Sequence, residues 1–152
     1  MGMRRKAREL AVQTLYALEF VETDEALGAM EWMNHYREEL DHLLEEAAIE
    51  PDNRIALFAE ELLTSTIRHI DAIDSTIAGH ATNWSFDRIS PLDRNILRVG
   101  INELLFTDTA PAIVINEAIE IGKKYSSENA GKFINGILNA VGKDAQESEN
   151  HE

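Results

Sequence analysis

Apolar residues recur at three- and four-residue steps along almost the whole of this 152-residue chain, and only Pro51, Pro91 and Pro111 punctuate the pattern. Side chains three or four positions apart share one face of an α-helix, so this period predicts helices packed through apolar stripes rather than strands. The expected fold class is all-α: a single compact domain of about six to seven helices. With 44% apolar residues, a chain of this length buries a real core without covalent staples. Cysteine is absent, which excludes disulfides, thiol catalysis and cysteine-based zinc or iron–sulfur sites.

The spacing predicts a first helix over about residues 4–21, with Ala7, Leu10, Ala11, Thr14, Leu18 and Val21 on one stripe and Arg5, Arg8, Val12 and Tyr16 on another. A second helical region spans about Asp24–Ala48, with Leu27, Met30, Trp32, Met33, Tyr36, Leu40, Leu43 and Leu44 as its apolar set. Pro51-Asp52-Asn53 reads as a turn, and a third helix follows to about Ala78, with Gly79 as its stop. Ser90-Pro91-Leu92-Asp93 carries a Ser N-cap, Pro in the first turn and an acid facing the positive end of the helix dipole, so a strongly apolar helix starts there and ends near Phe106. Thr109-Ala110-Pro111 opens the next helix, to about Tyr125. Ser126-Ser127 caps a last helix that ends near Gly142, with Phe133, Ile134, Ile137, Leu138 and Val141 as its apolar positions. Residues 143–152 have nothing to bury and are expected to be a disordered acidic tail, leaving residues 1–142 as the folded domain.

Charge is unevenly placed. The net charge is -14, yet four of the 14 basic residues, Arg4, Arg5, Lys6 and Arg8, fall at the start of the first helix. From Glu9 to Asp87 there are 18 acidic residues against three basic ones, whereas from Arg88 to Lys143 seven basic residues face six acidic ones. An acidic protein attracts a polyanion only through a concentrated basic patch, and cations at a helix N-terminus oppose its dipole, so the cluster points to an anionic partner such as nucleic acid. If that arm packed beside the C-terminal third, one side of the molecule would be electropositive. The competing reading is solvated surface charge on an acidic helical module that binds proteins and no RNA.

Enzymatic readings find little support. Glu39-Leu40-Asp41-His42 has the Glu-x-x-His step of di-metal helical bundles, but such sites need a second copy and the chain has none. No phosphate-cradling glycine loop or nucleophile elbow occurs. The expectation is a non-enzymatic, cofactor-free and metal-free cytoplasmic protein with no membrane contact.

Three separated blocks carry a resemblance: RRKARELAVQTLYALE at the start, ISPLDRNILRVGINELLF in the centre and PAIVINEAIEIGKKYSSENAGKFINGILNAV at the end. In order, spacing and identity they resemble the NusB family of bacterial transcription antitermination factors, while Glu22–Arg88 matches only in helical character. The resemblance implies two packed helical subdomains. It also implies binding of the single-stranded boxA element of nascent ribosomal RNA together with NusE, a ribosomal small-subunit protein, and indirect contact with other Nus factors and RNA polymerase. Carried over by position, the RNA-facing residues are Arg4, Arg5, Lys6 and Arg8, with Lys132 and Phe133 near the start of the last helix. The NusE-facing ones are Tyr16 and Asp93, with Asp87 close by. Asn129 stands where enterobacterial members have an acid, and losing a negative charge there favours RNA. A related architecture, the NusB-like domain of some RNA methyltransferases, has its chemistry in an appended catalytic domain, and a stand-alone factor is expected here.

These residue types suit single-stranded RNA, which is held by cations on phosphates, aromatic faces under bases and polar groups on base edges. Asn135 and Asn139 add amides on the same helix as Asn129. Each also has a purely structural reading. Phe133 sits beside core positions, Tyr16 can cap the core with its hydroxyl in water, and Asp93 is explained as a helix-start acid.

Overall fold

The computed structural model describes residues 2–20, 29–81 and 86–150. Among these residues it contains seven α-helices, a single 3₁₀ turn and no strand. The helices are α1 (Gly2–Leu18), α2 (Ala29–Glu46), α3 (Arg54–Arg68), α4 (Ile70–His80), α5 (Pro91–Phe106), α6 (Pro111–Tyr125) and α7 (Glu128–Asn150), with the 3₁₀ turn at Phe86–Arg88. They divide between two compact units, Met1–Ile70 and Asp71–Glu152. None of the described helices is long and apolar enough to cross a membrane.

In the first unit α1 packs against both α2 and α3. The predicted stripe of α1 is the buried one: Ala7, Leu10, Ala11, Thr14 and Leu18 all face the core, while Val21 lies outside the described residues. The buried Thr14 hydroxyl donates to the Leu10 carbonyl one turn back, so no polar group is stranded there. On α2 the inward residues are Trp32, Leu40 and Leu44, whereas Met30 and Met33, expected inside, are exposed. One helix cannot bury every apolar side chain when its neighbours cover a single face. The helix closes on a left-handed residue, Ala48 (φ 56°), with the Ile49 N–H returning to the Leu44 carbonyl. Arg37 ties α2 to α3 through Glu60, and that hydrogen bond is the leading reason its pKa is raised further.

The single third helix expected up to Ala78 is two helices, broken at His69. The His69 ring Nδ1 bonds the Ser65 carbonyl while its backbone N–H is shared between Ser65 and Thr66, so the side chain competes with the helical ladder at that turn. This competition leaves apolar periodicity intact and was therefore invisible in it. The expected stop at Gly79 is one residue early, since α4 runs to His80.

In the second unit α5, α6 and α7 pack mutually. The predicted start of α5 is present in detail: the Ser90 hydroxyl accepts from the Asp93 N–H at 3.2 Å, with Pro91 in the first turn. Arg98 crosses to α4 and donates two hydrogen bonds to Asp74, from Nε at 2.8 Å and from a terminal nitrogen at 2.9 Å. Its other terminal nitrogen donates to Asn95 at 2.9 Å. Gly122 of α6 and Gly100 of α5 admit the close approach of α7, because a β-carbon on either would crowd Ile134 or Leu138. On α6 the most buried apolar residues are Val114, Ala118 and Ile121, with Ile115 and Ile119 only half-buried.

The last helix does not end near Gly142. It continues to Asn150, through most of the segment expected to be a disordered tail. One contact anchors the start of this extension: the His80 ring Nε2 lies 2.7 Å from the Asp144 carboxylate, tying it to the end of α4. A long-range polar partner of this kind leaves no trace in local apolar content.

Candidate nucleic-acid interface

The basic cluster occupies the first two turns of α1, and the four residues are not equivalent. Arg4 is exposed, Arg5 and Lys6 are half-buried, and Arg8 is 3% exposed. The helix start carries no acid in its first turn to neutralise them. Arg4 and Arg8, one turn apart, both face the Phe58 ring of α3, with guanidinium carbons 4.9 and 5.8 Å from its centroid. The ring holds the arm's root against α3 and directs the outer cation to the surface. Arg8, expected among the RNA-facing cations, is packed into the unit's interior, whereas Arg4 is exposed and Arg5 and Lys6 keep part of their side chains at the surface. No local signal separates Arg8 from its neighbours, because its burial depends on a phenylalanine from a distant part of the chain.

Farther along α1, Tyr16 is 39% exposed and meets Phe20, itself 62% exposed, edge to face at 4.9 Å between centroids. Tyr16 is thus an accessible aromatic rather than a core cap. Phe20 was missed, and its signal was present: a second large aromatic one turn beyond Tyr16.

The second unit gathers most of the remaining candidates. Arg88, Ile89, Ser90, Asp93, Ser127, Asn129, Ala130 and Phe133 line an open pocket of about 400 Å³. It is formed by the 3₁₀ turn and the N-terminal turns of α5 and α7. Ser127 caps α7 by accepting from the Ala130 N–H at 3.0 Å, which fixes the turn carrying Asn129 and aims Phe133 at the pocket. Phe133 is half-buried, unlike Ile134 and Leu138, which are fully enclosed. On the outer face of α7, Asn129, Lys132, Asn135 and Asn139 are all exposed, and the Asn139 amide donates to the Asn135 backbone and side-chain oxygens.

Two features of this pocket were not expected. Asp93, assigned to a partner-facing surface, shares the pocket with Asn129 and Phe133, assigned to RNA. One of its carboxylate oxygens, Oδ1, is buried with no hydrogen-bond partner among the described residues. Arg88 is also exposed at the pocket wall, a residue that sequence reasoning counted only as charge. Its place is set by the adjacent turn: Arg94 donates to the Phe86 and Ile89 carbonyls and lies 5.1 Å from the Phe86 ring centroid. The side chain of Asp87 lies outside what the structure describes.

His42 does not enter a metal cluster. It pairs with Glu46 at 3.1 Å, and among the described residues no group of three or more potential ligands converges.

Comparisons with known proteins agree with the three sequence blocks. The NusB family model matches residues 5–143. A transcription antitermination protein NusB from Thermodesulfovibrio yellowstonii is 41% identical over 142 residues, covering 93% of this chain and 92% of that protein. Among solved structures, a NusB–NusE complex with double-stranded RNA has a chain that superposes with a TM-score of 0.78 at 32% identity, covering 95% of this chain and 98% of that one. The solution structure of NusB from Aquifex aeolicus gives a TM-score of 0.76 at 33% identity, covering 97% and 93% of the two chains.

Proposed function

This chain belongs to the NusB family, and from that premise we propose that it is a transcription antitermination factor that binds the single-stranded boxA element of nascent ribosomal RNA together with NusE. The observation that carries the reading is the placement of accessible cations. Arg4, Arg5 and Lys6 stand at the start of α1 of an otherwise acidic first unit, and Lys132 stands on the exposed face of α7. Cations gathered on an acidic protein, where dipole and solubility give no reason for them, are what phosphate binding requires. The similar complex of NusB and NusE with RNA supports the same partners.

Each residue has a distinct task in this reading. Arg4, Arg5, Lys6 and Lys132 take phosphates, Phe133 offers its half-buried ring to a base, and Asn129 supplies an amide to a base edge. Arg8 acts from within by holding Phe58 and the root of the arm. Tyr16 and Phe20 form the aromatic contact for NusE, a use suited to rings that are apolar in body and exposed at the rim. Asp93, and Asp87 beside it, add negative charge that favours a basic partner. Contact with other Nus factors and RNA polymerase follows through the assembled RNA complex, in the cytoplasm and without catalysis by this chain.

Co-purification with NusE and a boxA oligonucleotide tests the proposal. A ternary complex that forms with boxA and fails with a scrambled oligonucleotide is the expected result. Capture of NusE with no effect of RNA would point instead to an acidic protein-interaction module.

A further inference from the structure

At the end of α2 the chain turns back along the helix it has just left. Ala48 is left-handed (φ 56°) and the Ile49 N–H returns to the Leu44 carbonyl, so residues 48–51 wall an open groove whose other side is the face of α2 carrying Arg37, Asp41, Leu44 and Glu45. Its volume is about 580 Å³, within the range of roughly 300–1,000 Å³ typical of binding clefts. Leu44 is enclosed, Ile49 is half-buried and Pro51 is exposed, while Asp41, Glu45 and Glu50 stand exposed around them. The one guanidinium, that of Arg37, is already engaged by Asp41 at 3.4 Å and by Glu60. The carboxylates of Glu45 and Glu50 have no hydrogen-bond or ion-pair partner among the described residues. The last turn of α2 contains no basic residue, although the helix dipole favours cations there, so Glu45 stands where its charge is unfavourable and the dipole deepens the negative potential of the groove. We propose that this groove is a second protein-docking site, distinct from the Tyr16–Phe20 contact, which receives a segment of a basic partner protein in which lysines or arginines flank a large apolar side chain. That side chain covers Ile49 and Pro51, and the cations pair with Glu45 and Glu50.

Charge selects this occupant over the alternatives. A nucleic acid is repelled by three carboxylates around the opening. A divalent cation needs several oxygens converging on one point, and among the described residues no group of three or more potential ligands does so. Carboxylates spread around an apolar wall suit several cations carried on one polypeptide instead. A second copy of this chain brings the same net charge of -14 and is repelled as a whole. A basic protein is attracted over a longer range, because Glu9–Asp87 holds 18 acidic residues against three basic ones. The groove shares no residue with the cationic arm or with Tyr16 and Phe20, so the proposal stands independently of the RNA reading.

Fluorescence anisotropy on the full chain tests this with two short labelled peptides of equal length and charge, one alternating lysine with leucine and the other lysine with serine. The wild-type protein is expected to bind the leucine peptide about tenfold more tightly, the worth of partly burying one leucine. Glu45→Gln together with Glu50→Gln should weaken that binding about tenfold, as two exposed ion pairs are lost. Asp108→Asn together with Glu128→Gln changes the net charge equally outside the groove and should leave affinity near wild type. The groove substitutions are isosteric at exposed positions; melting curves check that they fold, and Glu45→Gln alone carries the test if the pair does not. Equal affinity of the wild type for the two peptides, equal losses in the two double variants, or no binding of either peptide at low salt overturns the proposal. So does sedimentation showing a wild-type dimer that the groove variant converts to monomer, since the occupant is then a second copy. A folded groove variant that loses affinity for a single-stranded boxA oligonucleotide also overturns it, because the groove would then serve RNA. Loss of RNA binding by variants of the arm leaves this proposal untouched and bears on the RNA reading alone.

Discussion

Each unit sets two arginines, one helical turn apart, against a phenylalanine ring, and the two pairs are used differently. In the second unit Arg94 and Arg98 flank Phe86 at 5.1 and 5.6 Å, and both are absorbed into the architecture. Arg98 is engaged by Asp74 and Asn95, while Arg94 is engaged by two carbonyls of the turn before α5. In the first unit Arg4 and Arg8 flank Phe58 at similar distances, but only Arg8 is buried and Arg4 reaches the surface at a helix end that disfavours cations. The cage is therefore a fastening in one unit and a mount for an exposed cation in the other. The two share the aromatic contact and differ in that Arg4 alone of the four arginines is exposed.

The sharpest way to break this contrast is to remove one arginine from each cage. Arg98→Ala leaves Asp74 without its bidentate partner and removes the hydrogen bond to Asn95, and is expected to cost about 3 kcal/mol of stability in urea denaturation, toward the lower end for a broken buried pair because Asp74 is partly exposed. RNA affinity of the folded protein should stay near normal. Arg4→Ala should do the reverse, costing less than about 1 kcal/mol of stability for an exposed cation–π contact while weakening RNA binding measurably. Similar stability losses in both would mean that the two cages serve the same purpose.

Phe133→Ala probes the second unit in the same spirit. Its half-buried ring on the pocket wall predicts a loss of about 1 to 3 kcal/mol in RNA affinity with a smaller effect on melting. A fall of stability near the ~3 to 5 kcal/mol typical of a core Phe→Ala, with unchanged RNA affinity, would return Phe133 to the core.

The smallest expected effect concerns the extension of α7. The pKa of His80 is raised above its ordinary value of 6.5, first by the Thr76 carbonyl at Nδ1 and then by Asp144 at Nε2, so both ring nitrogens face acceptors and the imidazolium is favoured. A raised pKa places this contribution fully at work below pH 6.5, and it is lost as pH rises through the folded-state value. Because Asp144 is largely exposed, the contact is worth less than about 1 kcal/mol. Amide exchange should therefore show the last turns of α7 fraying more at pH 8 than at pH 6, and His80→Gln should flatten that dependence. Fraying that grows toward low pH would contradict it.

Local chemistry was legible in the sequence wherever a few adjacent residues decide the outcome. Ser90, Pro91 and Asp93 announced the start of α5, Ser127 that of α7, and the α1 stripe from Ala7 to Leu18 was read correctly. What local pattern could not carry were contacts between distant residues: Arg8 buried beside Phe58, His80 holding Asp144, Arg94 fixing the turn that presents Arg88. The break at His69 escaped for a different reason, since a ring bonded to its own helix's carbonyl leaves the apolar period unchanged. The resemblance to NusB nominated Asp93 and Phe133 separately, but only the folded second unit shows them lining one pocket.

The cations at the start of the α1 arm are the most direct point of test. Fluorescence anisotropy with a single-stranded boxA oligonucleotide, across a series of salt concentrations, should compare the wild type with a variant carrying Arg4→Glu, Arg5→Glu and Lys6→Glu and leaving Arg8 in place. Loss of about three phosphate contacts is expected to make the log-log salt slope shallower by roughly 2 and to lower affinity at low salt about a hundredfold, with helicity and melting temperature nearly unchanged. A folded variant that keeps wild-type affinity and the same salt slope would contradict the assignment of this arm to RNA.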